Sequence, residues 1–257
     1  MPRASNRGTI PLKPLDWYKR LATEKGRLES GAFLVEGDRA IGQLVGSRPD
    51  QVIEVVAVEN LPAVYLDYPV RFVTDSQFRS ICLTKTPQGP LAVVRMPEDI
   101  YSGRLPESIG GKVLLLEDVQ DPGNVGTLIR TAAAFNFSGA ILSGKCADPL
   151  SPKCVQATAG AVLSVWMRKT AHYLDLVKAL RRSGYSLVAA DLNGEEDPAA
   201  LRQQHLLLLA LGNEASGLSE EMLETSDHRF RIPIDRDKAE SLNVAVSGAI
   251  CMYLSTL

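Results

Sequence analysis

Residues 206–211 read LLLLAL, so every side chain in this run is apolar. Residues 187–192 form a second run of this kind, interrupted only by Asp191. Strands that face solvent on one side alternate apolar and polar residues, whereas strands of a parallel sheet between helices are apolar throughout. Strand and helix patterns alternate along most of the chain, and the sequence therefore predicts an α/β fold.

A segment without regular hydrophobic spacing divides the chain. Residues 97–111, PEDIYSGRLPESIGG, are rich in proline, glycine, serine and charge, which is typical of a connection between domains. We therefore predict a small α/β domain over residues 1–96, a linker over 97–111 and a second α/β domain over 112–257. Strands are predicted at residues 33–36, 52–58, 70–74 and 91–95, and then at 113–119, 140–143, 187–192, 206–211 and 230–234.

The composition narrows the class of protein. A length of 257 residues with 45% hydrophobic residues suits one large domain or two modest ones, and the net charge of −2 gives no general attraction to nucleic acid or anionic lipid. No apolar run approaches the ~18 residues of a membrane span, and the N-terminus lacks the apolar core of a signal peptide. We therefore expect a soluble, cytoplasmic protein without membrane association.

The N-terminal segment departs from this near-neutral balance. Residues 1–31 carry seven Lys and Arg against three Asp and Glu, a local excess of four positive charges. Such an excess can contact phosphate, but it can equally be a solvated helix face around residues 15–25. Charge alone leaves both interpretations open.

Several common active sites lack their signatures. The four cysteines are far apart, and neither CxxC nor HExxH occurs, so no metal site is predicted. GxSxG and GxGxxG are also missing. Residues 139–146, GAILSGKC, match the G-x4-G-K spacing of a phosphate loop, but Ala140, Ile141 and Leu142 are typical of a strand. A nucleotide-binding enzyme is therefore disfavoured, and ATP binding abolished by Lys145→Ala would be needed to support it.

Polar residues follow three predicted strands of the second domain. DPGNVGTLIRT supplies Asn124 and Arg130, GNEASGLS supplies Glu214, and SLN supplies Ser241 and Asn243. Ligands of open α/β sheets bind at the carboxyl ends of the strands, so these segments are expected to meet in one crevice. Structural roles remain open for each: a salt bridge for Arg130, a cap for Glu214, and a capping amide for Asn243, with Ser241 at the predicted start of the last helix.

The segments DPGNVGTLIRTAAAF, LGNEASGLS and IPIDRDKAESLNVAVSGAI resemble, in that order, the three motifs of the SpoU (TrmH-like) RNA 2′-O-ribose methyltransferases of the SPOUT superfamily. The resemblance covers most of residues 112–257. FLVEGDRAI and TKTPQGPLAVV resemble the RNA-binding domain that precedes many members. The resemblance implies a C-terminal trefoil knot, S-adenosylmethionine as cofactor, and a homodimer that completes the site.

The resemblance also implies roles for individual residues. Arg130 would act as general base or, since a guanidinium is almost never neutral, as a clamp on the target phosphate. The implied catalytic set is Asn124, Arg130, Glu214, Ser241 and Asn243. The implied cofactor-binding set is Ala190, Leu192, Gly212, Asn213, Ile232 and Leu242. Ribosomal RNA is favoured as substrate; a transfer RNA methyltransferase and a knotted RNA-binding protein without transfer activity remain the alternatives.

Overall fold

The computed structural model of the protein describes residues 13–59, 61–84, 87, 89–202 and 204–257. The chain divides into two compact units, Met1–Pro97 with Leu150–Pro152, and Glu98–Pro149 with Lys153–Leu257. The first twelve residues, which hold two cations of the basic N-terminal segment, lie outside the described residues, as do residues 85, 86 and 88 of TKTPQGPLAVV. Among the helices described, none has the length and apolar character needed to cross a membrane.

The first unit is built on a four-stranded mixed sheet of order β1-β4-β2-β3. Its strands are β1 (Ala32–Glu36), β2 (Val52–Ala57), β3 (Val70–Phe72) and β4 (Leu91–Arg95). The β2–β3 pair is parallel, and β4 is antiparallel to both of its neighbours. The helices are α1 (Leu15–Arg20), α2 (Glu24–Ser30), α3 (Asp38–Ser47) and α4 (Asp75–Ile81). Tyr18, Leu34, Val56, Phe78 and Val93 belong to one buried cluster over this sheet.

The predicted helix around residues 15–25 is two helices in the structure. The Thr23 side chain accepts a hydrogen bond from the backbone N–H of Gly26 and thereby caps α2. A Cβ on Gly26 would lie 2.0 Å from the carbonyl oxygen of Arg20, so only glycine allows the second helix to approach the end of the first so closely. The segment is therefore a tight helical corner, which no charge pattern indicates.

The second unit contains a six-stranded, fully parallel sheet of order β10-β8-β9-β5-β6-β7. Its strands are β5 (Lys112–Leu116), β6 (Gly139–Ser143), β7 (Trp166–Thr170), β8 (Ser186–Glu195), β9 (Leu207–Leu211) and β10 (His228–Phe230). Its helices are α5 (Pro122–Ala134), α6 (Pro152–Ala157), α7 (Tyr173–Arg182), α8 (Ala199–Arg202), α9 (Glu220–Thr225) and α10 (Val244–Leu254). The α/β class and the parallel pairing of the two apolar runs are confirmed. The knot stays an expectation from the resemblance.

Of the predicted linker, residues 97–111, all but Pro97 belong to the second unit. The Arg168 guanidinium donates to the carbonyl oxygen of Arg104 at 2.7 Å, and Trp166 Nε1 donates to that of Ile109 at 2.9 Å. Ile100 is fully buried. The composition predicted a connecting segment, and these contacts fix the backbone of that segment against the second unit. The domain limits at residues 96 and 112 stay predictions.

The residues that match a phosphate loop form a strand. β6 occupies Gly139–Ser143, and a Cβ on Gly139 would lie 2.0 Å from the Trp166 ring. Lys145 pairs with Asp118 at 3.3 Å, and Cys146 is buried. Because glycine here serves close packing and the backbone is extended, no cradle for phosphate is formed at this position.

Candidate active site

A cavity of about 360 Å³ opens at the ends of β9 and β10, beside residues 190–192 of β8. The parallel strands bring their carboxyl ends to one edge of the sheet, which is where ligands of open α/β sheets bind. All six residues of the predicted cofactor-binding set line it, together with Glu214 and Ser241 of the predicted catalytic set. The structure thus brings distant segments together as expected, whereas cofactor contact by these residues stays a prediction.

The rim of the cavity after β9 is a closed turn over residues 212–217. Asn213 and Gly217 exchange two backbone hydrogen bonds of 3.0 and 2.9 Å. A Cβ on Gly212 would lie 2.2 Å from the carbonyl carbon of Gly217, so a side chain at residue 212 is incompatible with this closure. The Asn213 side-chain oxygen accepts hydrogen bonds from the backbone N–H groups of Ala215 and Ser216. The turn is therefore held by internal contacts.

Three predicted catalytic residues form a directed chain of hydrogen bonds. The side-chain oxygen of Asn243 accepts from the N–H groups of Ala245 and Val246, so its amide nitrogen is left to donate. That nitrogen donates to the Asn124 oxygen at 3.1 Å, and the Asn124 nitrogen donates to a Glu214 carboxylate oxygen at 2.9 Å. The chain joins the start of α10, the start of α5 and the turn after β9.

Two boundaries near this chain differ from the prediction. β10 ends at Phe230, so the predicted strand over residues 230–234 is wrong beyond its first residue. Helix α10 begins at Val244 with Asn243 as its cap, and Ser241 lies outside it, lining the cavity. Serine and asparagine are both good capping residues, and sequence alone did not decide between positions two residues apart.

The start of α5 is fixed by Asp121. Its carboxylate accepts from the N–H groups of Gly123 and Asn124 at 2.7 and 3.0 Å, and Lys153 donates to it at 2.8 Å. These contacts, that of Lys153 foremost, lower the pKa of Asp121 below its ordinary value. Asn124, which sequence reasoning placed at the helix start, therefore lies in the first turn with its side chain free to join Asn243 and Glu214.

Arg130 lies on the exposed side of α5. Within the part of the chain that the structure describes, its guanidinium has no hydrogen bond or ion pair, and it does not line the cavity. The salt bridge considered as a structural role is thus not formed with any of the described residues. The guanidinium is available to a ligand or to another molecule.

The cavity is acidic. Asp191, Glu214 and Glu240 line it, and the described lining residues include neither Lys nor Arg. Sequence reasoning missed Asp191 and Glu240. Two signals were available in the sequence. Asp191 is the single polar residue in the predicted apolar strand over residues 187–192, and Glu240 directly precedes Ser241. Arg229, which is not among the lining residues, lies 4.0 Å from the Asp191 carboxylate, so Glu214 and Glu240 are the carboxylates that favour a positively charged ligand.

No metal centre is apparent in the described ranges, since they contain no group of three or more His, Cys, Asp or Glu side chains able to hold an ion. Cys146, Cys154 and Cys251 are buried and unpaired by disulfide, and burial raises the pKa of each thiol. These thiols are therefore protonated packing groups at neutral pH.

Comparison with known proteins gives two family matches. Residues 111–253 match the model of the SpoU rRNA Methylase family, and residues 17–92 match that of the MRM3-like substrate binding domain. Among characterised relatives, the chain is 32% identical over 246 residues to the Bacillus subtilis (strain 168) 23S rRNA (guanosine(2553)-2′-O)-methyltransferase RlmP, covering 94% of each protein.

Solved structures share the fold of this chain. The AdoMet complex of the SpoU methyltransferase AviRb from Streptomyces viridochromogenes has a TM-score of 0.80 at 26% identity, with 94% of this chain and 96% of that chain covered. The AdoMet-bound rRNA methyltransferase from Sinorhizobium meliloti has a TM-score of 0.80 at 28% identity, with 96% of each chain covered. The chain belongs to the SpoU rRNA methylase family.

Proposed function

We propose that the protein transfers a methyl group from S-adenosylmethionine to a ribose 2′-hydroxyl of ribosomal RNA. The observation that carries the proposal is an acidic cavity lined by two of the three motif segments. The first motif segment is joined to both through the hydrogen bonds of Asn124 with Asn243 and Glu214. Family membership supports the reaction class, and the full-length similarity to a 23S rRNA methyltransferase supports ribosomal RNA over transfer RNA.

The cavity fits S-adenosylmethionine in size and charge. Its volume of about 360 Å³ lies within the usual range for small-ligand sites. Leu211, Phe230, Ile232 and Leu242 supply apolar walls suited to an adenine ring, and the turn at residues 212–217 supplies backbone groups. The carboxylates of the lining suit the positive charges of the cofactor. When bound, the cofactor supplies a methyl carbon attached to a positively charged sulfur.

Side chains near the cavity would bind the RNA and accept the proton of the 2′-hydroxyl. The guanidinium of Arg130, which has no partner among the described residues, suits a phosphate beside the target ribose, because its planar fork binds phosphate oxygens in pairs. Placed there, it stabilises negative charge as the 2′-hydroxyl loses its proton. Glu214 keeps one oxygen bonded to Asn124 and has the other for the hydroxyl proton or a ribose hydrogen bond. Positioning of the attacking oxygen supplies much of the rate enhancement.

A homodimer would complete the site. Val246, Tyr253 and Leu257 expose 49, 51 and 61% of their surface, and their spacing of seven and four residues puts them on one side of α10 and its C-terminal extension. α10 packs on α5, the helix that carries Arg130. Two copies joined through this apolar side would bury it, and Arg130 of one copy would then serve the cavity of the other.

The decisive experiment is methyl transfer from radiolabelled S-adenosylmethionine to ribosomal RNA lacking its own modification, with mapping of the 2′-O-methyl site. We expect transfer to a single nucleotide of the large-subunit RNA and loss by at least roughly 100-fold in Arg130→Ala, as when a charge-stabilising donor is removed. Arg182→Ala, an exposed arginine at the end of α7, is the matched control.

The rival functions give different results in the same assay. A transfer RNA enzyme would label transfer RNA and leave ribosomal RNA unmodified. An RNA-binding protein without transfer activity would bind RNA yet show no cofactor binding by calorimetry and no label in either RNA. Either result would refute the proposal.

A further inference from the structure

The chain takes an unfavourable backbone conformation next to the cavity. Asp118, two residues after β5, has φ of 57°, one of three described non-glycine residues with positive φ. L-residues rarely occupy this region, because Cβ crowds the backbone there. Such conformations persist where surrounding contacts enforce them, and they concentrate at functional sites.

Two side chains contact Asp118, and one of them holds it in place. Its backbone N–H donates to the Ser143 hydroxyl oxygen at 2.9 Å, and the same hydroxyl donates to its carboxylate at 2.6 Å. Ser143 is buried at the end of β6, so it is a fixed partner. Lys145 lies 3.3 Å from the second carboxylate oxygen but is 79% exposed. The serine is thus the restraining contact, and the lysine contributes little.

The conformation directs the carbonyl oxygen of Asp118 towards the cavity rim. That oxygen accepts a hydrogen bond of 2.8 Å from the Asn213 side-chain nitrogen. The other end of the same amide holds the N–H groups of Ala215 and Ser216. The amide of Asn213 is therefore occupied within the protein, and it connects the strained residue after β5 to the turn that lines the cavity after β9.

We infer that Asp118 is a positioning residue, whose left-handed backbone sets the place of the 212–217 turn and thereby the affinity for the cofactor. The backbone carbonyl of Asp118 performs this role through the hydrogen bond that it accepts from the Asn213 side chain. The carboxylate serves only to hold the conformation. This inference rests on the proposed function, because it assigns the turn a part in binding S-adenosylmethionine.

The first test compares Asp118→Val with Asp118→Gly in the full-length protein. Valine resists positive φ, whereas glycine adopts it freely. We expect the Kd for S-adenosylmethionine, measured by calorimetry, to rise about tenfold in Asp118→Val, a loss equivalent to ~1.4 kcal/mol. In Asp118→Gly it should stay within roughly threefold of wild type, because the carbonyl keeps its direction.

Asn213→Asp tests the same link from its other end. Aspartate keeps the acceptors for Ala215 and Ser216 but presents an oxygen to the Asp118 carbonyl, so the hydrogen bond is replaced by repulsion between two oxygens and the rim gains a negative charge. We expect the same loss of affinity, and the double variant Asp118→Val/Asn213→Asp should lose no more than either single one, since both remove one interaction. Lys145→Ala is the matched control and should bind as wild type.

The kinetic signature separates positioning from general destabilisation. The KM for S-adenosylmethionine should rise while kcat at saturating cofactor and the Kd for RNA stay near wild type. If Asp118→Val folds and binds the cofactor as wild type does, or if it fails to fold and Asn213→Asp binds normally, the positioning role is wrong while the proposed function stands. Absence of cofactor binding in the wild type would overturn both.

Discussion

The Asn124 side chain uses both its amide nitrogen and its amide oxygen in hydrogen bonds, and this limits which residues can replace it. It donates to Glu214 and accepts from Asn243, which is itself oriented by the first turn of α10. A residue in this place must offer one donor and one acceptor at the same length. The amide of asparagine meets this need without carrying charge next to the Glu214 carboxylate.

Asn124→Asp keeps the shape and removes the donor. The new carboxylate still accepts from Asn243 but faces that of Glu214. We expect kcat/KM to fall by roughly 10- to 100-fold at neutral pH, since a hydrogen bond to a charged group contributes about 1.5–3 kcal/mol.

A pH profile identifies the cause of that loss. Two facing carboxylates raise the pKa of one of them, so activity should partly return below about pH 6 as one proton is shared between them. Asn136→Asp, an exposed asparagine in the turn after α5, is the control and should match wild type. A loss that is independent of pH would argue against the repulsion.

At the scale of secondary-structure elements, the residues at which α5 and α10 begin determine the geometry of the site more than the lengths of these helices do. Each begins at an acidic or amide side chain that accepts two backbone N–H groups, Asp121 for α5 and Asn243 for α10. Capping by these groups turns the first helical residues towards the edge of the sheet. The helix starts therefore carry Asn124 and Asn243 to within hydrogen-bonding distance of each other.

The cap of α5 makes stability depend on pH in a defined direction. The pKa of Asp121 is lowered from its ordinary 3.8, first by Lys153 and then by the N–H of Asn124. A lowered pKa in the folded state means that the contribution to stability is complete above the ordinary value. The contribution is lost as the pH falls from that value through the lower pKa of the folded state.

Asp121→Ala should therefore reduce the free energy of unfolding by about 1 kcal/mol at pH 7, the usual cost of removing a cap. The difference from wild type should shrink towards pH 3. Asp121→Asn retains a capping oxygen and should lose less. Urea denaturation of the three proteins across this pH range measures the effect, and a difference that grows on acidification would contradict it.

At the scale of the whole molecule, the exposed side of α10 predicts the oligomeric state. Tyr253→Glu places a charge among Val246 and Leu257, so we expect the dimer to dissociate and methyl transfer to fall with it. Analytical ultracentrifugation measures the mass. Leu28→Glu alters a leucine of similar exposure, 49%, on α2 and should leave the mass unchanged. A monomeric wild type would exclude the proposed dimer.

Mixed dimers test whether Arg130 serves the cavity of the second copy. Arg130→Ala removes the guanidinium, and Gly212→Ala disrupts the rim turn through its Cβ contact with Gly217. Each variant alone should be inactive. Co-expressed and purified as a mixed dimer, they should regain activity, because one of the two cavities then combines an intact rim with an intact Arg130. If Arg130 acted within its own chain, no mixed site would have both.

The sequence predicted the structure correctly where a local residue pattern is also what the tertiary structure requires. Residues 187–189 and 207–211 became buried parts of neighbouring parallel strands, because a strand segment covered on both faces must be apolar. The second half of β8, which carries Asp191 and Asn193, is not buried in this way. The three motif segments also came together, since parallel strands end at one edge. Where two chemically equivalent caps lay close together, at Ser241 and Asn243, the pattern did not locate the helix start.

The residue types and their order alone determined the fold class, the edge of the sheet that carries the site and the family resemblance. The tertiary structure decided which contacts these residues make. The direction of the amide chain, the strained carbonyl of Asp118 against Asn213, the acidic lining from Asp191 and Glu240, and the unpartnered Arg130 depend on distances between residues far apart in the chain. No local pattern encodes such distances, because they result from the packing of all strands and helices at once.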